Sequence, residues 1–439
     1  MQSYRTRVGR WPLAFTMAAL AACADEPVGV RTLPHPRPLA AVDDGWVIVT
    51  NTSGGTGVGS LRWALANSIG KWVGFDSSLA GATIVVDTTV VTSIHGNTIM
   101  APKDKGITIS GGGVRRVFDV PTNATFYNVT ITGGNAPDGS AIRSADGQVF
   151  LGFSTVTGNT GGTAIYGRDV SLQNTTVSGN TGSGVASGVA FRSAFSTFNA
   201  TVAHNYPAPG IGWIWQPQPP FVGLDNSIIS NNGTPQRNCA DTVGFRYFGT
   251  TISNDYSCGY GAGIFVADPL LTGLSANGGA TKTEAISHRS PAINGGSNCT
   301  INFDQRWVAR DQYCDVGAFE FTDFTVVTLA IDPNANVDPA TGAATVTGTV
   351  RCTRPDTLPL GLQVNQVQKT GKTTTTVVRG SGGKVVNCAT SPQAWSITAT
   401  PLSGAFQNGN ASATVFTNDT PIWVTPAAVD KAVKLVRRK

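Results

Sequence analysis

The sequence predicts an all-β protein, a parallel β-helix followed by a C-terminal β-sandwich, and three observations carry that prediction. Charged residues make up only 13% of the 439-residue chain, against roughly 25% in ordinary soluble domains. Glutamate occurs only as Glu26, Glu284 and Glu320, while Thr, Val, Asn, Ser and Gly dominate. That composition disfavours helical bundles and doubly wound α/β enzymes. A short motif ending in asparagine recurs through the middle of the chain, and the last hundred residues alternate apolar and polar side chains in short runs.

Residues 1–22 have the form of a secretory signal, with Arg5, Arg7 and Arg10 ahead of a short apolar run from Trp11 to Ala22. The run is too short to span a bilayer, which needs about 20 apolar residues. Leu20-Ala21-Ala22-Cys23 resembles the bacterial lipobox, which implies lipidation of Cys23 and cleavage just before it; ordinary cleavage near Ala22 or Ala24 is the alternative. Residues 23–45, with Pro27, Pro34, Pro36 and Pro38, read as an extended tether. The expected address is therefore the bacterial cell envelope or surface, lipid-anchored at the outer membrane or secreted. The signal's arginines supply three of the net charge of +5, so no strong basic face remains for nucleic acid.

Seven cysteines less Cys23 leave an even six for an oxidising compartment. Proximity suggests Cys239–Cys258, Cys299–Cys314 and Cys352–Cys388, although six cysteines allow 15 pairings. Without a CxxC motif and with only four histidines, no metal or other cofactor is expected.

Trp46-Val47-Ile48-Val49-Thr50 reads as a strand. A Gly-rich turn then leads to Ser60 as the cap of a short helix whose Leu61, Ala64, Leu65 and Ile69 share one face. This segment is expected to cover the open end of the solenoid. The repeats follow: Thr130 to Asn135, Thr155 to Asn159, Thr176 to Asn180, Thr201 to Asn205 and Ser227 to Asn231. Their asparagines lie 24, 21, 25 and 26 residues apart. Periods of 20–50 residues mean a solenoid, and short β segments broken by Gly and Asn fit a parallel β-helix of roughly eight coils from Ile84 to Val266. An asparagine at a corner tolerates left-handed backbone and can bond to its copy on the next coil.

The stretch from Val49-Thr50-Asn51-Thr52 through Gly59-Ser60-Leu61-Arg62-Trp63-Ala64-Leu65 resembles the cap of bacterial right-handed β-helix proteins of the pectate-lyase-like superfamily. Further matches run Asp268-Pro269-Leu270-Leu271, Asn277 to Thr283, Ser290 to Gly296, Asp304-Gln305-Arg306 and Asp315 to Glu320. They are similar to the "choice-of-anchor" module of bacterial surface β-helix proteins. The resemblance covers residues 46–321 and implies a surface-displayed, right-handed β-helix. Residues 322–426, with Cys352, Cys388 and Trp395, resemble small immunoglobulin-like sandwiches, although the Trp lies outside the cysteine pair. Residues 427–439, with Lys431, Lys434, Arg437, Arg438 and Lys439, read as a solvated basic tail.

Chemistry is sparse. Glycoside hydrolysis needs two carboxylates about 5–9.5 Å apart. Asp169 aligns with Gln148, and Asp119, Asp138, Asp146 and Asp225 fall at differing distances from their asparagines. Asp304, Arg306, Arg310 and Asp311 read as an ion-pair lock on a disulfide loop, with a hydrolytic site that pairs carboxylate and guanidinium as the alternative. His204 takes a corner position that Gly158 and Gly179 fill, which marks either a cleft or a tolerated substitution. The best binding candidate is the insertion from Tyr206 to Phe221. Trp213 and Trp215 would face one side of an extended strand, and flat aromatic faces suit sugar rings. Packing of the indoles on the wall is the alternative. Tyr206, Trp213, Trp215 and Phe221 are the candidate ligand-binding residues. The expected function is non-catalytic binding of polysaccharide or another envelope component by a monomer, touching membrane only through its lipid. A polysaccharide lyase or glycoside hydrolase is the alternative, and a ligand-free spacer the third reading.

Overall fold

A computed structural model describes residues 42–43, 45–69, 71–92, 96–240 and 244–437. The signal segment, Cys23, nearly all of the tether, and Arg438 and Lys439 lie outside the described residues.

Consecutive β segments pair in parallel with the segments one coil away, giving a solenoid of about eight turns. A thirteen-stranded sheet, here sheet 1, runs from Trp46–Val49 and Trp72–Phe75 to Phe245–Tyr247. Sheet 2 runs from Thr83–Val85 to Ile264–Val266, and a short third face continues from it through Thr160–Gly161, Thr181–Gly182 and Tyr206–Pro207.

The hydrophobic residues fill one continuous core because register stacks them. Ile84, Ile109, Ile131, Val156, Val177, Val202 and Ile229 form one inward column, each fully buried. Val73, Ile99, Phe126, Leu151, Leu172, Thr197 and Leu224 form the facing column of sheet 1. At roughly 1.5–3 kcal/mol for each fully buried large apolar side chain, these columns dominate stability. The capping helix is Leu61–Ala66, with Ser60 Oγ accepting from the Trp63 N–H at 3.2 Å. It stops before Ile69, which stays exposed.

The asparagine ladder runs Asn159, Asn180, Asn205, Asn232 and Asn238, each side-chain amide donating to the next at 2.9–3.1 Å. Its ends differ from the sequence alignment by one residue. Gly134, not Asn135, sits opposite Asn159, and Asn232, not Asn231, opposite Asn205, because Thr201 pairs with Ile228 rather than Ser227. The column just before the ladder is left-handed throughout: Gly133, Gly158, Gly179, His204 and Asn231.

Sequence reading missed a second left-handed corner, Asn128, Phe153, Asn174, Asn199 and Asn226. Against it and sheet 2 packs the flank of residues 268–321, which contains the antiparallel pair Leu271–Ser275 and Thr283–Ile286. Asn174, Asn199 and Asn226 donate to the carbonyls of Phe303, Asp315 and Ser297. Phe153 replaces asparagine and stacks on Trp307 at 4.1 Å. Outward threonines 155, 176 and 201, polar and yet buried, bond to Lys282 O, Gln305 Oε1 and Ala318 N–H.

The three disulfides are Cys239–Cys258, Cys299–Cys314 and Cys352–Cys388. The C-terminal strands are sandwich-like, but they close. Asn334–Val337 pairs with both Ala428–Arg437 and Ala344–Cys352, so the hydrogen bonding returns on itself as a barrel around Trp395 and Phe406. Ala428–Arg437, expected within a solvated tail, is thus a full strand. Val433 and Leu435 point inward, and Lys431 Nζ donates to Ile331 O at 2.6 Å. The period-two pattern lies beneath the basic residues. Arg289 and His288 of the flank and Trp423 of the barrel converge on Asp356 at 2.8, 3.4 and 3.0 Å.

Candidate functional site

The outer face of sheet 1 is built by strands whose alternate residues fill the core. On Val189–Phe198 the residues Phe195 and Thr197 point inward, leaving Ala194, Ser196 and Phe198 outward. Their partners on Phe221–Asp225 are Phe221, Gly223 and Asp225, and Gly223 pairs with Arg246 one coil further on. Phe198, Phe221 and Phe248 are all exposed. Phe221 and Phe248 lean over Gly223 with ring centroids 6.4 Å apart, and a Cβ at Gly223 would meet both rings at 3.0–3.1 Å. The Arg246 guanidinium lies 5.3 Å from the Phe221 ring. Earlier on the same face, Tyr127 and Phe150 pack at 5.5 Å.

The four candidate aromatics do not converge on one loop. Tyr206 stands on the third face, paired with Thr181. Ile211–Trp213 joins sheet 1 opposite Val189–Phe191, so this half of the insertion completes a coil. Trp213 is half-buried against the core and its indole donates to Arg192 O at 3.1 Å. Trp215 lies beyond the strand and is 73% exposed. Trp213 and Phe221 bracket segment 214–220 on sheet 1, the segment that carries the exposed Trp215. Phe198 and Phe248 were missed because their outward orientation depends on register.

The carboxylates are mostly committed to arginines. Asp138 binds Arg116 and Arg143 at 2.7 and 3.0 Å, and Asp119 binds the same two at 3.4 and 3.8 Å. Hydrogen bonding and charge from Asp138, with a further charge from Asp119, hold Arg143 above its ordinary value. Asp169 pairs with Arg168, Asp146 with Arg192, and the Asp169 position does correspond to Gln148. Asp225 differs. Burial pushes its carboxyl up to about 6, its Oδ1 has no hydrogen-bond partner among the described residues, and its neighbour one coil back is Phe198.

In the flank, Asp304 binds Arg306 at 2.7 Å and Arg310 binds Glu320 at 2.7 Å, all but shut off from solvent. Asp311 is outside this lock and accepts from the Tyr313 N–H. These groups hold a fold rather than face a substrate. His204 Nδ1 lies 3.0 Å from Oε1 of the buried Glu284, which also accepts from Ser178 Oγ. No group of three or more metal-ligating side chains occurs among the described residues, and no helix there is long and apolar enough to cross a membrane.

No protein-family model matches the chain, and no curated protein matches it. Among solved structures it is similar to the tailspike protein of Acinetobacter phage vB_ApiP_P1. The identity is 10%, the alignment covers 84% of each chain, and the TM-score is 0.21, a likeness too distant to argue function from.

Proposed function

We propose that the protein is an exported, non-catalytic envelope protein that holds polysaccharide against the outer face of sheet 1. The observation that supports this reading is the set of exposed rings Phe198, Phe221 and Phe248 on the sheet 1 wall, with the exposed Trp215 in the segment that joins its strands. Rings fixed by backbone register lose little side-chain freedom on binding, and their flat faces match the apolar faces of sugars. In this reading Cys23 carries the lipid, residues 268–321 are the choice-of-anchor-type flank, and the C-terminal domain serves as an immunoglobulin-like spacer.

The test uses the full chain carrying Cys23→Ala, run through native gels containing acidic or neutral polysaccharides. Retardation by one of them, lost in Trp215→Ala/Phe221→Ala, is the expected result. Equal mobility of both proteins in every gel would contradict it.

Catalysis is the second reading, favoured by Asp225, whose raised carboxyl beside the aromatic face is the kind of group that general acids use. Chromatography of the polymer after incubation separates the two. Shortened products that vanish in Asp225→Asn would establish a lyase or hydrolase.

A further inference from the structure

The third face carries a groove that the aromatic site does not include. Asn135, Thr160, Thr181 and Tyr206 stand in register on four successive coils, all exposed. A shallow, open depression of about 570 Å³ lies beside this column, lined by Val114, Asn135, Ala136, Pro137, Gly161 and Ser183.

Two properties restrict what can bind there. The first is charge: none of the six lining residues is ionisable. The groove offers hydroxyls, an amide and backbone, so a carboxylate or sulfate on a ligand would gain no counter-charge. The Asn135 amide is oriented by donating to Gly113 O at 3.1 Å, and its Oδ1 faces Gly161 on the next coil. Gly161 leaves that part of the lining without a side chain, and both Gly161 and its buried partner Gly182 demand glycine. A Cβ would lie 2.7 Å from Ala136 O at Gly161 and 1.8 Å from Gly162 O at Gly182.

The second property is direction. Coils stack at about 4.8 Å, so the four steps from the turn bearing Val114 to Tyr206 span about 19 Å along the solenoid axis. Val114, 67% exposed, stands at one end, and the exposed Tyr206 ring lies one coil beyond Ser183 at the other. A ladder of uncharged polar groups at one per coil, ending in an aromatic ring, is matched in chemistry and repeat by an extended polymer of pyranose rings.

We propose that this axial groove is a second glycan site, selective for an uncharged, extended polysaccharide, with Tyr206 stacking on the ring at its end. The inference rests on the glycan-binding reading above and assigns it a substrate class and a separate surface.

Titration calorimetry on the full Cys23→Ala chain tests it, using neutral 1,4-linked oligosaccharides of increasing length and uronate oligosaccharides of the same lengths. Affinity for the neutral series should rise up to about four sugars, and uronates should bind at least about ten-fold more weakly. Ser183→Arg, at an exposed position, fills the cleft with a charged chain and should weaken neutral binding about ten-fold or more with an unchanged melting temperature. Tyr206→Ala should lower affinity for the longest oligomers most. Equal binding by wild type and Ser183→Arg, or a preference for uronates, would overturn the proposal. Polymer retardation that depends on Trp215 and Phe221, with no oligosaccharide binding to wild type, removes this groove alone. Absence of both kinds of binding removes the glycan reading with it.

Discussion

At the scale of single residues, the contact between His204 and Glu284 combines two costs. His204 holds a left-handed backbone, φ 54°, that the three preceding coils meet with glycine and the next with Asn231. An L-residue there costs roughly 1–2 kcal/mol. Glu284 is 1% exposed and its Oε2 has no partner among the described residues. The compensation is the ion pair. The hydrogen bond that the His204 ring donates to Glu284, opposed by burial and reinforced by charge, raises the His204 pKa above 6.5. A raised folded-state value means that the pair stabilises fully below about pH 6.5 and fades as pH climbs through that raised value. Among the described residues, Glu284 is the charged group that acts on the ring. Wild type should therefore lose melting temperature between about pH 6 and 9 by more than His204→Gly does. In alkaline buffer the glycine variant should equal or exceed wild type. Parallel curves for the two proteins would show that the pair contributes nothing.

At the scale of elements, the ladder and the corners carry register. Asn180 donates to Asn205 Oδ1 and Val156 O and accepts from both the backbone and the side chain of Asn159. Truncating it strands buried groups on both adjacent coils, so Asn180→Ala should cost roughly 1–3 kcal/mol in denaturant unfolding. Asn135→Ala, outside the ladder, should cost well under half of that; equal costs would put the ladder elsewhere. The repeat was legible because each coil spells the same turn chemistry. The one-residue shifts at Gly134 and Asn232 were not, since Asn-Asn at 231–232 offers two readings that only strand pairing resolves. The second corner was hidden for a related reason. Its asparagines bond to the flank more than a hundred residues away for Asn174 and Asn199, a contact that no local pattern announces. Among candidate site residues, Trp215 and Phe221 could be found from the broken repeat, whereas Phe198 and Phe248 needed the register of sheet 1.

At the scale of the molecule, three bodies are fastened in series: solenoid, flank and barrel. The flank covers sheet 2, which leaves sheet 1 and the third face as the open walls on which both proposed sites lie. The barrel is held by Asp356. Burial pushes its carboxyl up, but hydrogen bonds from the Thr357 N–H, the Trp423 indole and Arg289 outweigh that and leave it below the usual carboxylate range. Asp356→Ala should cost roughly 1–3 kcal/mol, moderated by the half-exposed Arg289, and should make the linker near Phe324 more open to protease. An unchanged digestion pattern would mean that the apolar contact of Phe321, Phe324 and Trp423 holds the joint unaided. The barrel strand at 428–437 is hard to see in the sequence because five basic residues within 427–439 mask its period-two pattern.

In the proposed function the aromatic wall of sheet 1 binds polysaccharide. The most direct measurement is affinity electrophoresis of the Cys23→Ala chain beside Trp215→Ala/Phe221→Ala/Phe248→Ala across a panel of envelope and plant polysaccharides. Retardation of the parent by at least one polymer, with free migration of the triple variant at an unchanged melting temperature, is the expected result. Retardation of both proteins alike, or of neither, would contradict it.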